Sequence, residues 1–259
     1  MGDLWQRRAV AYDDLQWVHD GDLLTWCVRQ LGGHSPCPGA RVVEVGCGTG
    51  ALTERLGLGL ADGTWSEVVA VDWSSEMVTR AARRAGPGVA VVCSDYRHLD
   101  TWVWGFDVLV ARMVLHHSEE PVADTLRAWA RLLRPGGVLA VFEGVPPTDD
   151  PDHDAYRLFS DAMAVKEPGR HVLTVPDLLD AMREAVGDDV SACVTHTTGN
   201  SLANWIGNNV LPADVRDRLW DLHADASPEA REAYGYEVVP GDVLMRWRHA
   251  AVFGRLPAG

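Results

Sequence analysis

Residues 42 to 50, with the sequence VVEVGCGTG, hold the residue types that point most directly to ligand binding. An apolar run carrying Glu44 is followed by glycines at positions 46, 48 and 50 and then by a segment of helical character, ALTERL. Glycine has no Cβ and tolerates positive φ, so such a turn lets the backbone approach a ligand closely. The free amides at the start of the following helix favour an anionic group. The segment therefore predicts a strand, a tight turn and a helix around a small-molecule site.

Polar residues end the next two apolar runs. Asp72 closes EVVAVDWS, and Asp95 and Tyr96 follow GVAVVC. An acid at the end of a second parallel strand can accept hydrogen bonds from two ribose hydroxyls. Trp73 offers a flat face on which an adenine could stack. Asp95 is suitably placed to accept a hydrogen bond from the exocyclic amine of that adenine. These residues predict a nucleoside-binding crevice at the carboxyl ends of the strands.

A fourth apolar run, FDVLVARMVLHH, brings Arg112, His116 and His117 to the same edge, and RLLRPGGVLAVFE then enters a fifth strand. Alternation of strands and helices from residue 41 to residue 143 predicts parallel pairing with right-handed crossovers. Histidine is the usual general base near neutral pH. His116 and His117 are therefore the candidate bases, with a packing role beside the ligand as the alternative.

Five segments, EVGCGTG, VAVDWS, CSDYRHL, RMVLHH and LLRPGGVLAVFE, occur in an order and spacing that resembles the core of class I S-adenosylmethionine-dependent methyltransferases. The resemblance covers residues 40 to 143, and the remainder resembles the family only in outline. It implies an α/β fold with a Rossmann-like, doubly wound, seven-stranded sheet. That sheet would be mostly parallel with an antiparallel last strand and would carry helical cap insertions. It also implies S-adenosyl-L-methionine as the cofactor.

Glu44 distinguishes this interpretation from a dehydrogenase-type or flavin-binding fold, because Gly46, Gly48 and Ala51 also fit the dinucleotide fingerprint loosely. An acid at position 44 could receive the ammonium group of the cofactor, whereas a diphosphate would gain nothing from it. The resemblance and the strand ends together predict these cofactor-binding residues: Tyr12, Glu44, Gly46, Cys47, Gly48, Gly50, Asp72, Trp73, Met77, Ser94, Asp95, Tyr96, Arg112 and Met113.

We expect residues 1–38 to form an N-terminal helical cap and residues 39–259 to form the methyltransferase domain, with insertions at about 148–171 and 200–241. DVSACVTHTTG and VLMRWRHAAVFGR are the predicted sixth and seventh strands, which would form a final antiparallel hairpin. The pattern from Thr174 to Asp177, with Pro176 in the first turn, predicts a helix start.

The second insertion contains an aromatic residue among amides, NSLANWIGNN, which suits a small and partly polar acceptor. The alternative is a capping loop with a packed tryptophan. The predicted acceptor-binding residues are Asn204, Trp205 and His196. No metal site is predicted, because no tight spacing of ligating residues supports one. The single lysine, Lys166, has no mechanistic role in this interpretation.

The composition excludes several classes of function. The formal net charge of −14 makes attraction to nucleic-acid phosphates unfavourable. No apolar run approaches the length of a membrane span, and the first residues do not form a signal peptide. Five cysteines without a close pair fit reduced thiols. We therefore expect a cytoplasmic monomer or homodimer that acts on a small molecule.

Three functions remain open. The first is methyl transfer to oxygen, nitrogen or activated carbon of a small molecule, a specialised metabolite or a quinone-like ring. The second is an enzyme that binds the cofactor without transferring a methyl group, such as a cyclase. The third is a binding protein that retains the fold, although buried acids kept in a crevice without a ligand would be costly.

Overall fold

The computed structural model describes residues 2–101, 105–207 and 211–259, and their strands form one mixed sheet. The strands are β1 (Ala40–Val45), β2 (Trp65–Asp72), β3 (Val89–Cys93), β4 (Phe106–Arg112), β5 (Leu133–Val145), β6 (Val190–Ser201), β7 (Glu237–Val239) and β8 (Asp242–Arg255). Their order is β3-β2-β1-β4-β5-β8-β6, with β7 paired to β8. The first five strands pair in parallel, whereas β8 runs antiparallel to both β5 and β6. The predicted fold class is confirmed.

Helices occupy both faces of this sheet and cover its carboxyl edge. The helices are α1 (Gly2–Tyr12), α2 (Gly21–His34), α3 (Ala51–Ala61), α4 (Ser75–Arg84), α5 (Val122–Ala130), α6 (Asp154–Lys166), α7 (Val175–Val186), α8 (Leu202–Ile206), α9 (Ala213–Ala224) and α10 (Pro228–Tyr234). None of the helices in the described parts of the chain combines the length and apolar character needed to cross a membrane.

The structure has a short strand, β7, that is not one of the seven strands predicted from the sequence. It lies within the predicted second insertion, where Val239 pairs with Asp242 across a two-residue loop. Gly241 in that loop has a φ of 77°, a conformation that glycine adopts without steric cost and that tight hairpins need. A hairpin extension of β8 therefore adds an eighth strand.

The sheet is buried on both faces, which explains the apolar, β-branched runs of β1 and β4. One face packs on α2 and α3 through residues such as Leu24 and Leu56. The other face packs on α5 and α7 through Trp129 and Met182. These two layers hold the carboxyl ends of β1, β2 and β4 side by side at one edge.

Side-chain caps set where two of the helices begin. The Ser74 hydroxyl accepts a hydrogen bond from the Met77 amide at the start of α4. Thr174 and Asp177 form a reciprocal capping box at the start of α7, with proline in its first turn. The helix start predicted at Thr174 is therefore confirmed.

Four helices, α6, α8, α9 and α10, pack on one another and on β8 around a separate apolar cluster, and we refer to them as the cap helices. Leu158, Leu219, Tyr234 and Met245 are buried members of this cluster. The cap helices fall within the two predicted insertions. The division of the chain into an N-terminal cap and a methyltransferase domain stays a prediction.

Candidate functional site

The turn between β1 and α3 depends on its glycines. Gly46, Gly48 and Gly50 have φ values of 69°, 55° and 88°. A Cβ at Gly46 would lie 2.4 Å from Val114 Cγ2, and one at Gly50 would lie 2.8 Å from the Ala81 Cα. A Cβ at Gly48 would meet only a ring carbon at 3.8 Å. Packing therefore leaves no room for a Cβ at Gly46 and Gly50, whereas a Cβ at Gly48 would fit.

A cavity of about 380 Å³ opens beside this turn, and we refer to it as the first cavity. Thirteen of the fourteen predicted cofactor residues line it. The exception is Gly50, which caps α3. Most of these residues lie in the turn, at the end of a parallel strand or just after it, whereas Tyr12 lies on α1 and Met77 on α4. Their roles toward a ligand stay predictions.

Two acids in the first cavity are already fixed by donors. The Asp72 carboxylate accepts hydrogen bonds from the amides of Gly48 and Ser74, both at 2.9 Å. Burial raises the pKa of Asp72, yet each oxygen keeps a lone pair for a further donor. The two oxygens of Asp95 share the single N–H of Arg97 Nε, each at 3.0 Å, and hydrogen bonding by Arg97 lowers the pKa of Asp95.

Glu44 lies at the inner end of the same cavity with only 2% of its surface exposed. The Thr53 hydroxyl donates to one of its carboxylate oxygens at 2.6 Å. Burial raises the pKa of Glu44 to about 7. A cationic group placed against this carboxylate would offset the cost of ionising it in a low-dielectric site.

The N-terminal segment covers the cavity from the other side. Arg112 donates to the backbone oxygen of Trp17 at 2.8 Å and lies 5.8 Å from the centre of the Trp17 ring. The Tyr12 ring packs edge-on against Trp17 with ring centres 5.5 Å apart. Tyr12 therefore lines the cavity from the N-terminal side, and its role toward the cofactor stays a prediction.

A second cavity of about 90 Å³ lies between the sheet edge and the cap helices. Tyr12, Met113 and His117 line both cavities, so the two spaces share one wall. Met113 has a φ of 58° and is the only described residue other than glycine with positive φ. Its sulfur accepts a hydrogen bond from the Gly144 amide at 3.1 Å. Backbone strain of this kind persists where the surrounding structure enforces it, often at functional sites.

His116 faces the second cavity with one ring nitrogen fixed. Its Nδ1 is hydrogen-bonded to Glu143 at 2.5 Å, and the other oxygen of Glu143 accepts from the amides of Val114 and Leu115. Burial lowers the pKa of His116 and raises that of Glu143 to about 7. The arrangement orients the imidazole and leaves Nε2 as the nitrogen available to a ligand.

His117 lies beside the carboxylate of Glu167, which forms ion pairs with two arginines. Its Nδ1 is 3.6 Å from Glu167, which pairs with Arg8 at 2.7 Å and with Arg170 at 3.3 Å. His116, His117 and Glu167 are close enough together to ligate a metal ion. A cation there would lie next to two guanidinium groups, which is electrostatically unfavourable.

Lys166 is one of the residues of this site that sequence reasoning missed, with Glu143 and Arg170. Its ammonium lies 3.8 Å from the centre of the Trp205 ring and donates to the Trp205 backbone oxygen at 3.1 Å. Lys166 lines the second cavity with 8% of its surface exposed, and burial lowers its pKa to about 7. The sequence gave one signal, its composition, because a lone lysine in a chain that otherwise uses arginine is unusual.

The three predicted acceptor residues have different positions. Trp205 lines the second cavity. Asn204 does not line it: its amide donates to the backbone oxygen of Asp14 and accepts from the Gln16 amide, which ties α8 to the N-terminal segment. His196 is exposed and lines neither cavity.

Strand geometry explains the position of His196. Successive residues of a strand point to opposite faces, and the neighbouring Thr197 points inward to hydrogen-bond with His249 at 3.1 Å. His249, on the adjacent strand β8, lines the second cavity instead. Asn208 and Asn209, which belonged to the predicted amide cluster, lie outside the described residues.

Comparison with known proteins agrees with this architecture. Residues 42–137 match the family described as a methyltransferase domain. Together with the strand order and the glycine turn, the match identifies residues 42–137 as a domain of the class I S-adenosylmethionine-dependent methyltransferase type. The cofactor of that class is S-adenosylmethionine. The cradle at Gly46, the buried acid at position 44 and the acceptor atoms of Asp72 fit such a group.

Particular relatives are similar over part of their length. A ubiquinone biosynthesis O-methyltransferase of Xanthomonas oryzae is 38% identical over 110 residues, which are 39% of this chain and 41% of that protein. A trans-aconitate 2-methyltransferase of Deinococcus radiodurans is 33% identical over 123 residues, 48% of this chain and 43% of that protein. The chain thus spans less than half the length of these curated relatives.

Among solved structures, the YcgJ protein of Bacillus subtilis superposes with a TM-score of 0.72 at 17% identity. The superposition covers 91% of this chain and all of that one. This likeness shows a shared fold.

Proposed function

We propose that the chain binds S-adenosylmethionine in the first cavity and transfers its methyl group to a small acceptor in the second cavity. The observation that carries this proposal is the shared wall formed by Tyr12, Met113 and His117. A donor and an acceptor on opposite sides of one wall can be aligned for an in-line displacement without crossing solvent.

The residues of the first cavity would hold the cofactor in a fixed orientation. Asp72 would accept hydrogen bonds from the ribose hydroxyls, and Glu44 would face the ammonium group. Trp73 and Tyr96, which line this cavity, would flank the adenine. The amides at the start of α3 would face the carboxylate, because a helix N-terminus favours an anion.

His116 and His117 would serve the acceptor. S-adenosylmethionine supplies an electrophilic methyl group. An acceptor hydroxyl, amine or acidic C–H that attacks this carbon must lose a proton, and a neutral imidazole can take it. Burial lowers the pKa of both histidines, which favours the neutral imidazole that a base needs. Glu143 would act as a positioning residue that holds the His116 ring.

Calorimetric titration tests the cofactor assignment. We expect micromolar binding of S-adenosylmethionine and S-adenosylhomocysteine and no binding of oxidised nicotinamide dinucleotide. Binding of the dinucleotide alone, or of none of the three, would refute the assignment. An enzyme that used the cofactor without methyl transfer would bind it and form no S-adenosylhomocysteine with any acceptor.

Release of S-adenosylhomocysteine in an acceptor screen tests the transfer and the base. With an acceptor in hand, we expect His116→Ala or His117→Ala to lower kcat at least tenfold while the affinity for S-adenosylhomocysteine stays within twofold. The matched control is His153→Asn, because His153 caps α6 outside both cavities and asparagine can replace that cap. Unchanged kcat in both alanine variants would exclude a histidine base.

A further inference from the structure

We propose that the acceptor carries a carboxylate and that Lys166 and Arg170 are its counter-ions in the second cavity. This inference rests on the proposed function, which makes that cavity the acceptor site. It adds a substrate class, small carboxylic acids, and two residues that recognise it.

The first argument is charge balance. Glu167 is the one carboxylate among the described residues that line the second cavity, and its closest partner is Arg8 at 2.7 Å. Arg248 also lines the cavity but is paired with Asp149 at 2.8 Å. Lys166 has no carboxylate partner in the described parts of the chain, and Arg170 has only a share of Glu167 at 3.3 Å. The cavity therefore holds more positive than negative charge.

This local excess runs against the composition of the whole protein. The chain has 37 acidic residues against 23 lysines and arginines. The lining of the second cavity therefore carries a net positive charge in a protein whose overall net charge is negative. Uncompensated charge is costly in a low-dielectric site, and a bound anion would remove that cost.

The second argument is the supply of donors. An ammonium has three N–H groups, and one of those of Lys166 is taken by the Trp205 backbone oxygen. Nε of Arg170 is buried and has no hydrogen-bond partner among the described residues. A carboxylate supplies two acceptor oxygens, and a guanidinium edge matches their planar geometry.

The third argument is the rest of the lining. Phe159, Met163, Trp205 and Trp247 surround the cavity with apolar and aromatic surface. The volume of about 90 Å³ is below the roughly 150 Å³ that accommodates benzene in an engineered apolar cavity. A short carboxylic acid with an apolar body matches this combination of size, surface and charge.

The protein offers a selective reporter, because Lys166 is its only lysine. Protein grown with lysine labelled with ¹³C at Cε gives a single lysine signal by NMR. Burial lowers the pKa of Lys166 to about 7, with Glu167, Arg170 and Arg8 as its charged neighbours. A carboxylate beside the ammonium would favour the charged form and raise that pKa.

The experiment is a pH titration of this signal in protein saturated with S-adenosylhomocysteine, with propanoate or its neutral analogue propanamide. We expect propanoate to raise the pKa of Lys166 by at least one pH unit and propanamide to leave it unchanged. Equal effects of the two compounds, or no effect of either, would overturn the proposal. Saturation with S-adenosylhomocysteine is measured separately, so a failed cofactor assignment is recognised before the acid is added.

Variants give an independent readout by calorimetry. We expect Lys166→Met to weaken propanoate binding at least tenfold and Lys166→Arg to retain it within threefold, because arginine keeps the charge. Arg183→Met is the control, since Arg183 is exposed on α7 and pairs with Asp180. Affinity for S-adenosylhomocysteine reports folding in each variant. Equal propanoate affinity in Lys166→Met and the wild type would overturn the role of Lys166.

Discussion

Replacing Glu44 by glutamine should stabilise the cofactor-free protein and weaken cofactor binding at the same time. Glutamine has nearly the same shape, and its amide oxygen can still accept the hydrogen bond from Thr53. The substitution therefore removes the ionisable group with little change in packing. The two effects have opposite signs because the buried charge of Glu44 destabilises the folded protein when the cofactor is absent and attracts the ammonium group of the cofactor when it is present.

The magnitude follows from the pKa of Glu44, which burial raises from an ordinary 4.5 to about 7. Between these values the folded protein holds a proton that the unfolded chain has released. The free energy of unfolding of the wild type therefore falls as pH rises through this window. At pH 8 the loss amounts to about 3 kcal/mol, and at pH 5.5 to about half of that. Glutamine does not titrate and avoids the loss.

Urea unfolding of ligand-free protein at pH 5.5 and pH 8 measures this difference. We expect Glu44→Gln to be more stable than the wild type by about 3 kcal/mol at pH 8, with roughly half that advantage at pH 5.5. Its affinity for S-adenosylmethionine should be at least tenfold weaker. Glu54→Gln, at an exposed acid of α3, should change stability by less than about 0.5 kcal/mol. A pH-independent difference, or unchanged cofactor affinity, would refute the reasoning.

Two further predictions concern the first cavity. Asp72→Ala should weaken S-adenosylmethionine binding by about 1 to 3 kcal/mol through loss of charge-assisted hydrogen bonds, and wild-type affinity by calorimetry would contradict the ribose assignment. Gly46→Ala should lower the melting temperature more than Gly48→Ala does. Both positions have positive φ, but only the new methyl at Gly46 would overlap Val114, so equal shifts would show that this contact relaxes freely.

Much of the lining of the first cavity could be predicted because its residues belong to local patterns. Asp72, Asp95 and Arg112 each lie at or just after the end of a parallel strand, and strand pairing brings such ends together. Glu143 obeys the same rule at the end of β5 and could have been found by it. Its role as the partner of His116 depends on the conformation of the loop after β4, which the sequence pattern does not specify.

The lining of the second cavity could not be predicted in the same way. Lys166 and Trp205 lie on α6 and α8, which meet through packing of apolar surfaces and not through a fixed strand register. The alternation of β6 showed that His196 and Thr197 face opposite ways, but not which of them faces inward. The composition singled out Lys166 as the only lysine, but it did not show what the residue contacts, so the sequence analysis gave it no role.

The N-terminal segment contacts the walls of both cavities, so the affinity of each cavity for its ligand depends on how well this segment is ordered. Trp17 is held by Arg112 on the first-cavity side, while Asp14 and Gln16 are held by Asn204 of the cap helices. Ordering this segment costs conformational entropy. If a ligand in one cavity has already ordered the segment, a ligand that binds in the other cavity does not have to meet this cost again. Such linkage is reciprocal by thermodynamic necessity. We therefore expect the acceptor to tighten cofactor binding by the same factor by which the cofactor tightens acceptor binding.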